Sequence, residues 1–190
     1  MDEKMMRAVC DTTARIVHEV KPTHYGLSTP CSEWTVRDLA NHLLATLELG
    51  RALLSDEPPA VQAGPGELPV EDLVGSDLVG AYRTGATALV AATTSESVGR
   101  LHDTPLGELP GAGLAGFAAL DVLVHGWDLA KAIGHETTID PALADPMLAF
   151  AQQAIGDDMG MRAPRIGPAI TVPDGADTTS RLVAYLGREP

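Results

Sequence analysis

The sequence predicts an all-α protein: a four-helix bundle whose connections are not simple hairpin turns, followed by a short C-terminal extension. Three observations carry this. Four long segments repeat apolar residues at the i, i+3, i+4 spacing of a helix. Loops rich in proline, glycine and acidic residues separate them, long enough for the chain to cross the bundle. Neither side of those loops makes a self-sufficient domain. All 190 residues therefore read as one domain, with a core bundle over 1–156 and an extension over 157–190.

The first helix is expected over Asp2 to Val20, with Met6, Val9, Thr13, Ile16, Val17 and Val20 at helical spacing; Lys21 before Pro22 ends it. After the loop "KPTHYGLSTPCSEW", Thr35 and Asp38 form a helix start of the capping-box type, and the second helix runs from Val36 to about Leu54. Ser55 to Asp72 reads as a surface loop. The third helix covers Val70 to Ala92, and Leu101 to Gly113 is a second long loop. The fourth helix contains "FAALDVLVHGWDLA", Phe117 to Ala130, and ends near Gly134, a C-cap residue. Pro141 suits the first turn of a further helix reaching Ile155, with Pro146 placed to delay its start. The tail offers an extended piece at Ala169 to Val172, a turn at Pro173 to Gly175, and a last helix over Thr178 to Leu186.

Composition narrows the function classes. A 45% hydrophobic, 21% charged chain is of the globular kind, and a formal net charge of -13 argues against nucleic acid and against an anionic membrane surface as partner. No run is apolar enough to span a bilayer, and the N-terminus lacks the apolar core of a signal peptide. With only Cys10 and Cys31, a reduced cytoplasm is the expected setting.

The fourth helix raises the functional question. It is apolar around its whole circumference, the mark of a buried helix, yet it carries Asp121, His125 and Asp128. At 100° per residue, with Asp121 at zero, His125 falls at about 40° and Asp128 at about -20°, so all three share a stripe. Two readings fit Asp121 and His125: a structural Asp–His pair one turn apart, or two ligands of a divalent metal. The second reading needs a third ligand. His42 is the candidate, on the flank of the second helix's core stripe of Val36, Leu39, Leu43 and Leu47. Its alternative role is an interfacial histidine bonded to a backbone carbonyl. His18, His24, His102 and His135 read as solvated, and Trp127 as packing.

"TPCSEWTVRDLANHLL" (Thr29 to Leu44), followed some 80 residues later by "DVLVHGWDLAKAIG" (Asp121 to Gly134), resembles the metal-binding family that includes the N-terminal domain of mycothiol-dependent maleylpyruvate isomerase, in the DinB-like superfamily. The tail is similar to the short, single-domain actinobacterial branch, so the resemblance covers nearly the whole chain. It implies a DinB-like four-helix bundle with a metal between its helices, held by His42, Asp121 and His125. Asp121 stands where a Glu or Asp is found, one methylene shorter than Glu. The resemblance also implies mycothiol as thiol cosubstrate, bound and activated by the metal as thiolate. It does not extend to the sterol-carrier-like domain of the full isomerase. Asp128 is placed to orient a ligand imidazole or to make a structural hydrogen bond. Neither Cys10 nor Cys31 fits a nucleophile at this site, since Cys10 lies in a helix and Cys31 in a loop with no adjacent base evident, so the thiol is expected from a cofactor.

Two imidazoles and one carboxylate form the ligand set of a catalytic rather than a structural zinc site, leaving an open position. Zinc is the first expectation; nickel and iron suit the same donors. Three functions remain open at this point: a metal- and thiol-dependent transferase or isomerase acting on small electrophiles, a non-catalytic metal- or ligand-binding stress protein, and a metal-dependent hydrolase using activated water. The expected partners are a small thiol and a small electrophile, with oligomeric state open between monomer and homodimer.

Overall fold

The computed structural model describes residues 1–63, 67–105, 107–156 and 166–190. These fall into two compact units, Met1–Glu136 and Thr137–Pro190. Among the described residues no helix is long and apolar enough to cross a membrane.

The first unit is the bundle. Helix α1 (Glu3–Glu19) starts on Asp2, whose carboxylate accepts from the Met5 N–H at 2.8 Å. Helix α2 (Val36–Ser55) opens with the expected capping box: Thr35 N–H donates to Asp38 Oδ2 at 2.9 Å, and Asp38 N–H donates back to Thr35 Oγ1. Helix α3 (Leu78–Ala92) is followed by the single-turn α4 (Ser95–Gly99) and an antiparallel hairpin, β1 (Leu101–Thr104) and β2 (Gly107–Pro110). Helix α5 (Gly111–Ile133) ends on Gly134, whose φ of 70° supplies the left-handed cap.

Helix α1 packs on α3 and α5, and α2 packs on the same two. The chain therefore passes from α1 to the opposite corner, α2, and again from α3 across to α5, so the connections are the crossovers that the long loops allow. The core lies where the four apolar stripes meet: Met6 and Val9 of α1, Leu43 and Leu47 of α2, Leu89 of α3, and Leu123 and Leu129 of α5 are all at most 1% exposed. Two glycines let helices approach closely. A Cβ on Gly126 would lie 2.6 Å from Thr13 Oγ1, and one on Gly50 would lie 3.0 Å from Leu89 Cδ1. Thr13 uses that proximity to donate to the Val122 carbonyl at 3.0 Å, tying α1 to α5.

In this unit three local expectations differ from the structure. Helix α3 begins at Leu78 rather than Val70. The N–H groups of Leu73 and Val74 donate to Asn41 Oδ1, so they are satisfied outside any helix, and Asp77 then caps Gly80 N–H at 2.9 Å. The Leu101 to Gly113 segment is not all loop: it holds the hairpin and the first turn of α5, and within it residue 106 lies outside the described residues. His102 is not solvated but 1% exposed, with Nδ1 2.7 Å from Asp56 Oδ1 and Nε2 2.7 Å from the Ser97 carbonyl. A ring with both nitrogens satisfied by the protein has no need of water.

In the second unit, α6 (Pro141–Ala154) packs on α7 (Thr178–Tyr185). Pro141 takes the first-turn position behind the Asp140 cap, and Pro146 sits inside the helix instead of delaying it. Ala169 to Val172 forms no strand; its Ile170 N–H donates to the Ala184 carbonyl at 2.8 Å. The sequence-drawn boundary at 157 opens a stretch, 157–165, outside the described residues.

Candidate metal centre

Helix α2 and helix α5 are direct neighbours, and this brings His42 opposite Asp121 and His125. His42 Nε2 lies 3.3 Å from Asp121 Oδ2, and His125 Nε2 lies 2.9 Å from Asp121 Oδ1. The two rings stand edge to face, their centroids 4.8 Å apart. His42 is 2% exposed and His125 6%. The Asp121 side chain is 35% exposed, so the cluster opens to the surface on the carboxylate side.

Both imidazoles are held from behind. His42 Nδ1 is 2.9 Å from the Glu67 carbonyl, which can only accept, so this nitrogen carries a hydrogen and, in the neutral ring, Nε2 presents its lone pair inward. His125 Nδ1 is 2.9 Å from Asp128 Oδ2, and Asp128 is fully buried. Thr46, one turn after His42, donates to Asp121 Oδ2 at 2.6 Å and fixes the carboxylate. Two ring nitrogens thus face one carboxylate within hydrogen-bonding distance. Only a proton or a cation between them makes that arrangement favourable.

The charge states reflect the same geometry. Burial works to raise the Asp121 carboxyl, but the charge of His125 and hydrogen bonds from His125 and His42 outweigh it and hold the group well below the usual carboxylate range. Burial works to lower His125; the charge of Asp121 and hydrogen bonds to Asp121, Asp128 and Cys31 raise it well above an ordinary histidine.

Comparison with known proteins places this bundle. The family model for the mycothiol maleylpyruvate isomerase N-terminal domain matches residues 6–130, a span that runs from Met6 of α1 to Ala130 of α5 and holds all of these side chains. The chain belongs to that family. Two uncharacterized proteins of Mycobacterium tuberculosis, from strains CDC 1551 / Oshkosh and ATCC 25618 / H37Rv, are each 35% identical over 183 residues, covering 94% of this chain and 92% of theirs. The crystal structure of the mycothiol-dependent maleylpyruvate isomerase superposes with a TM-score of 0.55 at 18% identity, over 77% of this chain and 66% of that one, just under two thirds of its length. The shared fold is the DinB-like helical bundle expected from the sequence.

Within the family's bundle, the structure brings His42, Asp121, His125 and Asp128 together, while His18 and His135 are exposed and His24 is half-buried in the α1–α2 loop. Trp127 is buried, with Lys131 Nζ 5.4 Å from its ring centre. One expectation is corrected. Cys31, set aside for want of a base nearby in sequence, stands with its Sγ 3.7 Å from His125 Nδ1 and 3.3 Å from Asp128 Oδ2. A tight turn delivers it: Thr29 Oγ1 accepts from Cys31 N–H and donates to the Trp34 carbonyl, Trp34 N–H donates to the Cys31 carbonyl, and Glu33 adopts a left-handed φ of 74°. The same turn brings the Trp34 ring 4.8 Å from His42 and 6.3 Å from His125. Thr46 shares the His42 stripe, four residues on along the same helix, but nothing in the sequence pairs it with Asp121.

Proposed function

We propose that His42 Nε2, Asp121 and His125 Nε2 hold a divalent cation, zinc first and nickel or iron as alternatives. We propose further that the protein uses it, with a small thiol, to act on small electrophiles. The observation that supports this most directly is the convergence of two inward imidazole nitrogens on one carboxylate, all within 4.8 Å of one another. The 3.3 and 2.9 Å gaps between the carboxylate and the two rings need only widen slightly to admit one ion at about 2.0–2.2 Å from each donor.

Such an ion, when bound, lowers the pKa of a thiol or a water so that the nucleophile forms near neutral pH. The rest falls to the chain. The Glu67 carbonyl fixes the His42 tautomer, and Asp128 accepts the His125 Nδ1 hydrogen when Nε2 faces the ion, as partners behind a ligand histidine commonly do. Thr46 orients the carboxylate. Trp34 covers the rings from the loop side and keeps that flank apolar. The exposed edge of Asp121 marks where a small substrate enters. Mycothiol is the thiol proposed, because the family is described by its use; a reduced cytoplasm, where Cys10 and Cys31 stay without a mutual disulfide, is the setting proposed.

The test is elemental analysis of protein purified without chelator, then conjugation of a generic electrophile with mycothiol, run beside His42→Ala. One ion per chain and thiol-dependent turnover, both lost in the variant, are expected. Protein that stays metal-free in added zinc refutes the site. Metal binding without turnover leaves a binding protein, and turnover without thiol assigns the nucleophile to water.

A further inference from the structure

The His125 ring has two sides, and the reading above uses one. Its Nε2 lies 2.9 Å from Asp121 Oδ1 and its Nδ1 lies 2.9 Å from Asp128 Oδ2. A neutral imidazole carries one N–H and one lone pair. With a carboxylate at the same distance from either nitrogen, each tautomer has an acceptor for its hydrogen, and the ring can offer its lone pair to either side. On the Nδ1 side the other donors are Cys31 Sγ, 3.7 Å from Nδ1 and 3.3 Å from Asp128 Oδ2.

We infer that Cys31 Sγ, His125 Nδ1 and Asp128 Oδ2 form a second cation site, for a thiophilic d10 ion such as zinc or cadmium. It stands back to back with the His42 side across one ring. The inference rests on these three donors and not on the reading of the His42 side.

Distance, charge and access support it. Bonds of about 2.3 Å to sulfur, 2.0–2.1 Å to nitrogen and 2.0–2.2 Å to oxygen put tetrahedral donors about 3.4–3.6 Å apart. The sulfur separations of 3.7 and 3.3 Å already bracket that range, so only the nitrogen–oxygen pair, at 2.9 Å, has to widen, by about 0.5 Å. Thiolate and carboxylate together neutralise a +2 ion, which is what a site closed by a fully buried Asp128 requires. The His42 side has a single anion for the same charge. Sulfur selects for soft ions where the nitrogen–oxygen set does not. Cys31 is half-buried and leaves an entry route. On binding, the Cys31 S–H and the His125 Nδ1 hydrogen that faces Asp128 both pass to solvent as the sulfur–metal and nitrogen–metal bonds form, and His125 keeps its other hydrogen on Nε2, donated to Asp121.

The two sides then compete, because filling both requires the ring to lose both protons. An ion on Nδ1 turns the Nε2 hydrogen toward the His42 side and opposes an ion there.

The test is titration of the chelator-stripped chain with cadmium, read by the ultraviolet thiolate-to-cadmium charge-transfer band. Wild type is expected to reach one ligated thiolate per chain. Cys31→Ser, whose hydroxyl still donates to Asp128, loses the band; His42→Ala keeps it. As a check that needs no variant, cadmium should slow alkylation of Cys31, followed by peptide mass mapping. No band in wild type overturns the inference. So does a band unchanged in Cys31→Ser, which would come from Cys10, a buried thiol pushed up to about 12 by its desolvation. A band lost equally in His42→Ala would make Cys31 a member of the His42 side and also overturn the separate site. Zinc binding that needs His42 but never engages a thiolate would leave the proposed function standing and remove only this inference.

Discussion

Replacing Asp121 by asparagine separates an Asp–His pair from a metal centre. In the metal-free protein the carboxylate takes part in three contacts: with Thr46 Oγ1 at 2.6 Å, His125 Nε2 at 2.9 Å and His42 Nε2 at 3.3 Å. Asparagine keeps an acceptor for Thr46 and can donate to one ring lone pair, so the change removes the charge-assisted part of the cluster and little volume. A hydrogen bond to a charged group contributes about 1.5–3 kcal/mol, and the 35% exposure of the side chain places the cost in the lower half of that range. For a chain of this size each kcal/mol moves the melting temperature by about 2–4 °C, so Asp121→Asn should lower the apo Tm by roughly 3–9 °C. Metal adds a separate increment. At a free ion concentration about 100 times Kd, binding to the folded state alone contributes about 2.7 kcal/mol, or roughly 5–11 °C, and a variant that no longer binds forfeits all of it. The assay is a pair of thermal melts, one in chelator and one in zinc, for wild type and variant. The Tm difference between the two proteins should be larger in zinc by that increment. Equal differences in the two buffers would refute the metal reading and leave a structural ion pair.

The remaining predictions concern packing and pH. Gly126→Ala puts a methyl 2.6 Å from Thr13 Oγ1 at the α1–α5 contact; overpacking of about 1–3 kcal/mol should exceed the helix-propensity gain of up to about 1 kcal/mol, whereas Gly113→Ala, with open space around it, should be neutral or stabilising in denaturant titrations. In the apo protein, Asp121 has its carboxyl lowered by His125 and His42, so its stabilising contribution is present above the ordinary carboxylate pKa and lost as pH falls through the lowered folded value. His125 has its pKa raised, so the imidazolium's contribution is present below the ordinary histidine value and lost as pH rises through the folded one. A cation must displace that proton, so zinc affinity measured by calorimetry should rise with pH by up to about tenfold per unit while His125 remains protonated, and a pH-independent Kd across about pH 6 to 8 would count against His125 as a ligand.

What the sequence by itself determined is what local geometry determines. The Thr35–Asp38 capping box, the Gly134 cap and the four apolar stripes follow from the 3.6-residue repeat and from the unpaired groups at helix ends, and both are written within a few residues. The same repeat sets Asp121, His125 and Asp128 on one stripe of a helix too apolar to be at the surface. It also fixes which flank of α2 carries His42. The tertiary structure decided everything that depends on where a loop goes or which corner of the bundle a helix occupies. Cys31 reaches His125 across 94 residues because the Thr29–Trp34 turn is held by its own backbone bonds, and no periodicity encodes that path. Thr46 meets Asp121 across 75 residues only because α2 and α5 are neighbours. His102, in a Pro- and Gly-rich stretch, is buried because Asp56 at the α2 C-cap and the Ser97 carbonyl of α4 come together around it. Helix α3 starts late because Asn41, on another helix, takes the N–H groups that a longer α3 would have used. Helix geometry is settled by bonds within a few residues, while partner choice is settled by packing among segments far apart in the chain, and the chemistry of this site draws on both.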